Sequence, residues 1–135
     1  MGEARRKAEH KPLISVLIPE RGRPEKLSRL IASLLATSDG DSRIEIVVQI
    51  DNDDEAWADV EPHYEYAHTR YLCRDRAPTL GEKLNQLANE AKGDLLWFVS
   101  NDMLMDTPGW PAKFRAAAEK LPNGVGIAYV RDNVN

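Results

Sequence analysis

Charged and amide side chains cluster at four places in the sequence, and each place directly follows a short, largely apolar run. The runs span residues 13–18, 44–50, 69–73 and 94–99. The side chains that follow them are acids, amides, a serine and arginines: Glu20, Arg21, Arg23, Asp51, Asn52, Asp53, Arg74, Arg76, Ser100, Asn101 and Asp102. Arginine binds phosphate groups, and carboxylates bind divalent cations or sugar hydroxyls. One such cluster is typical of an ordinary turn, but four in succession favour a binding site.

The charge is unevenly distributed along the chain. Residues 1–30 contain eight lysines and arginines against four acids, whereas residues 39–65 contain ten acids and Arg43 alone as a base. One interpretation is a solvated surface. The other is that the two segments meet in one cleft that holds phosphates and a cation or ribose hydroxyls.

Several classes of protein are excluded by composition and motifs. The net charge of −4 over 135 residues, without a basic aromatic stripe, argues against a nucleic-acid binder. The first turn contains one glycine, Gly22, so neither a dinucleotide fingerprint nor a P-loop is present. The three histidines are scattered rather than spaced for zinc. Cys73 has no partner for an internal disulfide, and we expect a buried thiol there.

The apolar periodicity predicts helices between the runs. A helix over residues 24–36 would bury Leu27, Leu30, Ile31, Leu34 and Leu35. A second follows Thr79 as N-cap, paired with Glu82, and ends near Gly93; its buried face would hold Leu80, Leu84, Leu87, Ala88 and Ala91. A third spans residues 110–121 and would point Phe114, Ala117, Ala118 and Leu121 inward. Residues 55–68 stay ambiguous, residues 125–130 predict a fifth strand, and Trp97 and Trp110 are expected in the core.

Alternation of strands and helices predicts an α/β fold, a mostly parallel, Rossmann-like sheet with helices on both faces. The predicted strand over residues 94–99 is apolar on both faces, which is typical of a central strand. In such sheets ligands bind at the carboxyl ends of the strands, where the polar clusters lie. We expect a flexible tail over residues 1–11 and one domain over residues 12–135. Without a membrane-length apolar run or an apolar leader, a cytoplasmic protein is expected.

The ordered motifs resemble those of GT-A fold glycosyltransferases of the family 2 type. The matching segments are IPERGRP, VVQIDND and TLGEKLNQLANEAKGDLLWFVSND, followed by a helix that begins with Trp110. The resemblance covers residues 12–130. It implies a nucleotide-diphosphate sugar as donor, a UDP-sugar first of all, and Mn²⁺ or Mg²⁺ as cofactor. Against the family pattern the sequence is short, which suggests the donor-binding part of a larger enzyme or a compact relative.

Residue roles follow from the resemblance position by position. Pro19, Glu20 and Arg23, with Arg21 between them, match the first turn that contacts the nucleotide. Asp51 matches the acid that reads the base, and Asp53 is its neighbour. Gly81 and Lys83 match the helix start that faces the diphosphate. Asp102 matches the last acid of the D-x-D metal motif, with Asn101 in the middle.

One departure concerns the metal. Ser100 replaces the first acid of D-x-D, so Asp102 is the single carboxylate ligand and we expect the metal to bind together with the nucleotide. The family places the catalytic base in the acceptor-binding half, and no residue here matches it. The predicted function is therefore a metal-dependent glycosyltransferase, or its donor-binding half, with an unidentified acceptor. The alternatives are a non-catalytic GT-A-like module that binds a nucleotide or partner, with self-association left open, and a nucleotidyltransferase of related fold.

Overall fold

The computed structural model describes residues 11–58 and 66–122. The elements run in the following order: β1 (Ile14–Glu20), α1 (Pro24–Ala36), β2 (Ile44–Asp51), the 3₁₀ turn η1 (Glu55–Trp57), β3 (Thr69–Arg74), α2 (Leu80–Glu90), β4 (Leu95–Phe98) and α3 (Trp110–Glu119). The predicted alternation of strands and helices is confirmed.

The four strands form one parallel sheet in the order β3-β2-β1-β4. Glu20 at the end of β1 pairs with Ile50, and Asp51 at the end of β2 pairs with Arg74. Beyond the last paired residues of β1 and β4, the Val99 N–H donates to the Leu17 carbonyl at 2.9 Å. All four strands therefore end at one edge of the sheet, which brings the predicted polar clusters to the same side of the molecule.

Helices cover both faces of the sheet, as predicted. On one face α1 and α3 pack over the even-numbered residues of β1 and β2, such as Val16 and Ile46, and Trp97 and Trp110 contact each other there. On the other face α2 places Leu87 against Leu17 and Val47. The strands β1 and β2 carry buried apolar residues on both sides because both sides are covered.

Local sequence signals set the helix boundaries. Helix α1 has the predicted bounds, with Pro24 in the first turn, where a missing N–H costs nothing. The Thr79 side chain accepts a hydrogen bond from the Glu82 N–H and caps α2, as predicted.

Gly93 does not end α2 as predicted. The C-cap is Ala91 in an extended conformation, which needs no glycine. Gly93 instead passes against β1, where its N–H donates to the Ser15 hydroxyl at 2.8 Å. A Cβ at this position would lie 2.3 Å from that hydroxyl oxygen and 2.8 Å from the Leu13 carbonyl. The glycine serves close backbone packing rather than a left-handed turn.

Other differences concern exposure. Among the described residues β4 is an outer strand that pairs only with β1, not a central strand. Its residues Leu96 and Phe98 are 43% and 44% exposed. Leu80 is 63% exposed, because Lys83 rather than Leu80 turns inward from the first turns of α2. Helix α3 ends at Glu119, before the predicted Leu121, and buries Arg115 while Ala117 is exposed. Cys73, predicted to be buried, is exposed near the end of β3.

Some expectations lie outside the described residues. These are the strand over residues 125–130, most of the tail over residues 1–11 and the middle of the ambiguous stretch over residues 55–68. Of that stretch residues 55–58, which include η1, and residues 66–68 are described. Within residues 11–58 and 66–122, no helix is long and apolar enough to cross a membrane.

Candidate functional site

A pocket of about 200 Å³ opens at the carboxyl edge of the sheet, between the end of β1 and the start of α2. It is lined by the β1 end, one β2 residue and the segment that enters α2: Pro19, Glu20, Arg21, Asp51, Arg76, Ala77, Pro78, Thr79, Leu80 and Lys83. Five of the residues predicted to bind nucleotide meet here, namely Pro19, Glu20, Arg21, Asp51 and Lys83. The pocket combines cations, a carboxylate and apolar wall residues, a composition suited to a phosphorylated organic ligand.

The Asp51 carboxylate is the buried polar centre of this pocket, at 3% exposure for the residue. One oxygen accepts a hydrogen bond from Lys83 Nζ at 3.0 Å, and the other accepts one from Arg21 Nη1 at 2.9 Å. Lys83 Nζ also donates to the Glu20 carbonyl at 2.9 Å. The pairing compensates the cost of burying the carboxylate, and each carboxylate oxygen retains a lone pair for a further donor.

Arg21 joins the first turn to the acidic segment after β2. Its Nη1 also contacts Asp53 Oδ1 at 2.8 Å, and this guanidinium lowers the pKa of the Asp53 carboxyl group. Arg21 and Asp53 are exposed, whereas Lys83 is buried. The cleft expected from the uneven charge is therefore present where the basic and acidic segments meet.

The first turn depends on a glycine. Gly22 adopts a positive φ of 74°, a region that L side chains rarely occupy. Its N–H donates to Asp54 Oδ2 at 2.6 Å, and the other oxygen of Asp54 caps η1 by accepting from the Ala56 N–H at 3.1 Å. Asp54 thus fixes the spacing between the turns that follow β1 and β2.

The Glu20 carboxylate points away from the pocket. It is fully buried and accepts hydrogen bonds from Trp57 Nε1 at 3.0 Å, from the Arg23 N–H at 3.1 Å and from Asn101 Nδ2. Only the carbonyl of this residue takes part in the Lys83 network. Asn101 is 8% exposed, and its side-chain amide donates to the Glu20 carboxylate.

Asp102 is exposed beside the start of α1. A hydrogen bond from the Ser100 side chain, together with the nearby positive charges of Arg23 and Lys26, lowers the pKa of its carboxyl group. The carboxylate is therefore ionised at neutral pH and suited to a hard cation. Within residues 11–58 and 66–122, no group of three or more His, Cys, Asp or Glu side chains could hold a metal ion. Asp102 alone would need a ligand's phosphate oxygens to complete a metal site.

The remaining predicted residues lie around the pocket rather than in its wall. Arg23 is exposed in the first turn, and Gly81 is exposed in the first turn of α2, next to the wall residue Leu80. A second hollow of about 260 Å³ lies on the far side of Asp51 and is lined by residues 50–55, Trp57, Ala58 and Cys73.

Several site residues were not predicted. Ala77, Pro78, Thr79 and Leu80 line the pocket, although the sequence pattern marked Thr79 only as a helix cap. Arg76, predicted only as one of the strand-end side chains and without a specific role, also lines the pocket. Trp57 lies in the stretch whose structure the periodicity left ambiguous, so no sequence signal linked it to Glu20.

Comparisons of sequence place the chain in a family. The profile of Glycosyl transferase family 2 matches residues 15–135, nearly the whole chain. No curated protein matches the chain significantly.

Solved structures share the fold. TarS from S. aureus superposes with a TM-score of 0.62 at 19% identity over 78% of this chain and 19% of its own length, and TarS residues 1–349 with 0.58 at 24% identity over 78% and 31%. A mannosyltransferase from Pyrobaculum calidifontis, PcManGT in complex with GDP-Man and Mn²⁺, gives 0.56 at 15% identity over 72% and 29%. The chain thus spans less than a third of these neighbours. By its sequence match the chain belongs to glycosyl transferase family 2, and its fold is of the GT-A type.

Proposed function

We propose that this chain binds the donor of a glycosyltransferase reaction, a nucleotide-diphosphate sugar, together with Mn²⁺ or Mg²⁺. Residues 12–135 would act as one donor-binding domain. Family membership supports glycosyl transfer as the class of reaction. The observation that carries the donor proposal is the buried Asp51 carboxylate in a pocket that is also lined by the cationic residues Arg21, Arg76 and Lys83.

The nucleotide part of such a donor has candidate binding groups in the pocket. A base N–H or a ribose hydroxyl can donate to a free lone pair of Asp51, while Ala77, Pro78 and Leu80 supply apolar wall against the base. Arg21 and Arg76 also line the pocket, and their guanidinium groups would bind the negatively charged diphosphate. We favour a UDP-sugar as donor.

Asp102 is the residue proposed to hold the metal, and its exposed, ionised carboxylate fits a hard divalent cation. When bound, the cation would stabilise the negative charge on the departing diphosphate. PcManGT is a neighbour solved with GDP-Man and Mn²⁺. The acceptor hydroxyl also needs a base, and we assign that role to none of the described residues.

Calorimetric titration tests the proposal. UDP and GDP are titrated into the chain with Mn²⁺ or with EDTA, using the wild type, Asp102→Ala and the control Asp106→Ala, which removes another exposed carboxylate from the same loop. We expect UDP to bind with Mn²⁺, Asp102→Ala to lose most of the metal-dependent affinity, and Asp106→Ala to behave as wild type. Absence of binding for both nucleotides with Mn²⁺ would contradict the proposal.

A non-catalytic binding module is the second candidate function. It is favoured by one observation, the serine at position 100 where the family motif has its first acid. This candidate predicts nucleotide binding of equal affinity in Mn²⁺ and EDTA. The same titrations therefore separate the two candidates.

A further inference from the structure

A buried carboxylate outside the pocket carries the strongest new inference. Glu20 is fully buried, and among the described residues no lysine or arginine side chain forms an ion pair with it. Its charge is instead met by three neutral N–H donors. Burying an ionised carboxylate is costly unless such donors converge on it, so the burial of Glu20 depends on these three contacts.

The three donors come from three different strand-end segments. Arg23 N–H belongs to the turn after β1, Trp57 Nε1 to η1 after β2, and Asn101 Nδ2 to the loop after β4. A fourth segment, helix α2, is connected through the main chain, because the Glu20 carbonyl accepts a hydrogen bond from Lys83. One residue therefore joins all the segments that carry the candidate site.

The chemistry explains why a glutamate stands here. An ionised carboxylate accepts hydrogen bonds at both oxygens and presents no hydrogen of its own. One carboxylate oxygen accepts from both Trp57 and the Arg23 N–H, and the other accepts from Asn101. In a glutamine the NH₂ group would have to replace one of these oxygens, so either the first two donors would lose their acceptor or the Asn101 amide would have to turn over. A carboxylate therefore accepts from all three donors in their present orientation, and being fully buried it is not itself available to a ligand in the pocket.

We propose that Glu20 is a positioning residue that holds Asn101, and with it the neighbouring Asp102, at a set distance from the nucleotide pocket. It acts through Asn101 on the metal side and through its carbonyl and Lys83 on the nucleotide side. This inference rests on the proposed function, because it assigns Asp102 to the metal and the pocket to the nucleotide. It differs from the sequence-based expectation that Glu20 itself contacts the nucleotide.

The first experiment measures UDP affinity with Mn²⁺ and with EDTA for the wild type, Glu20→Gln and the control Glu25→Gln, an exposed glutamate on the next helix. We expect Glu20→Gln to reduce the metal-dependent gain in affinity about tenfold, the scale of one lost charged hydrogen bond. The affinity in EDTA should stay close to that of the wild type. Equal losses of UDP affinity in Mn²⁺ and in EDTA would indicate direct nucleotide contact. Wild-type UDP affinity in both conditions together with a lower melting temperature would indicate a purely structural residue. Either result overturns the proposal.

A second experiment does not need a nucleotide. The Trp57 indole N–H resonance is followed by NMR and assigned with Trp57→Phe. Asn101→Ala should shift this resonance in the wild-type background, because both donors share Glu20, and should leave it unchanged in Glu20→Gln. If Asn101→Ala does not change the chemical shift of the Trp57 indole N–H in the wild-type background, the proposed coupling is overturned.

These arms separate the two claims. If no nucleotide binds the wild type but the NMR coupling is present, the proposed function fails and the link through Glu20 stands. If Glu20→Gln does not fold, the UDP titrations are repeated with Asn101→Ala, which keeps Glu20 and removes one donor. The metal-dependent gain should then fall while the affinity in EDTA stays; an unchanged gain overturns the proposal.

Discussion

At the scale of single residues, Asp51 and Lys83 form the pair on which the candidate site is built. Both side chains are less than 10% exposed, and their charged atoms are 3.0 Å apart. Arg21 approaches the same carboxylate from the solvent side, with a side chain that is 39% exposed. Lys83 is thus held in place by the protein itself, whereas Arg21 is accessible to a ligand's phosphates.

Replacing Lys83 tests the energetic weight of this pair. Lys83→Met should lower the free energy of unfolding by about 3 kcal/mol, because it leaves a buried carboxylate with one cation fewer. Adding Asp51→Asn should recover part of that loss, since the uncompensated charge is removed. Urea denaturation measures both changes, with the exposed Lys113→Met as control. Equal stability of Lys83→Met and Lys113→Met would contradict the prediction.

At the scale of elements, the structure depends on close contacts between segments far apart in sequence. Gly93 lets the chain pass against β1 before β4 begins. At the opposite end of the sheet from the pocket, Arg115 of α3 donates to both oxygens of Asp41 and to the carbonyl groups of Pro12 and Arg43. These contacts fasten α3 and the entry of β4 to the strands that carry the site.

A pair of glycine substitutions distinguishes packing from backbone freedom. Gly93→Ala should destabilise the fold by about 1–3 kcal/mol, because the added Cβ would overlap main-chain atoms of β1. Gly81→Ala should be neutral or stabilising by up to about 1 kcal/mol, since the position is helical and its nearest neighbour would be 3.9 Å away. Thermal unfolding of both variants checks this, and similar melting temperatures would refute the packing argument.

The Asp41–Arg115 contact predicts a pH dependence of stability. Arg115 lowers the pKa of Asp41 from 3.8 to about 2. A depressed pKa in the folded state stabilises above the unfolded pKa, so this contribution, about 2 kcal/mol, should be complete above pH ~4 and lost as the pH falls toward ~2. Urea denaturation between pH 5 and pH 2, at roughly these limits, should show a smaller slope for Asp41→Asn than for the wild type. Parallel profiles would exclude this pair as the source.

At the scale of the whole molecule, the site joins two regions of opposite charge at one edge of a parallel sheet. The described part has a cation-rich pocket at Asp51 and the exposed carboxylate of Asp102, to which the proposal assigns the metal. Family membership and the GT-A fold give this edge its proposed role in binding a donor. The chain spans 19% to 31% of the neighbours' lengths. A complete transfer reaction would therefore involve parts of an enzyme beyond the described residues, and it remains a proposal.

Metal and nucleotide should bind cooperatively. With one carboxylate ligand, Mn²⁺ alone should bind weakly, and UDP should raise its affinity by adding phosphate oxygens. Thermodynamic linkage then requires Mn²⁺ to raise the UDP affinity by the same factor. Calorimetric titration of Mn²⁺ into the protein, in the presence and absence of UDP, measures this factor. Strong Mn²⁺ binding without nucleotide would show that the site has further protein ligands.

Much of the fold could be predicted because its signals are local. The periodicity of Leu27, Leu30, Ile31 and Leu34 and the proline at position 24 define α1, and the Thr79 cap defines the start of α2. Parallel strands with polar ends predict that Arg21 and Asp51 lie near one another, and the family resemblance adds Lys83 to the same site. Gly93 was misassigned because a glycine after a helix is typical of a C-cap, whereas its actual constraint comes from Ser15, far away in sequence.

The sequence by itself determined the order of elements, the parallel sheet and the edge at which polar side chains gather, because these follow from residue periodicity and from rules of chain connection. Only the tertiary structure decided which way each polar side chain turns. It directed Lys83 inward to Asp51 and the Glu20 carboxylate away from the pocket toward Trp57 and Asn101. Hydrogen-bond partners of buried charges come from distant segments, and no local pattern encodes the direction of such contacts.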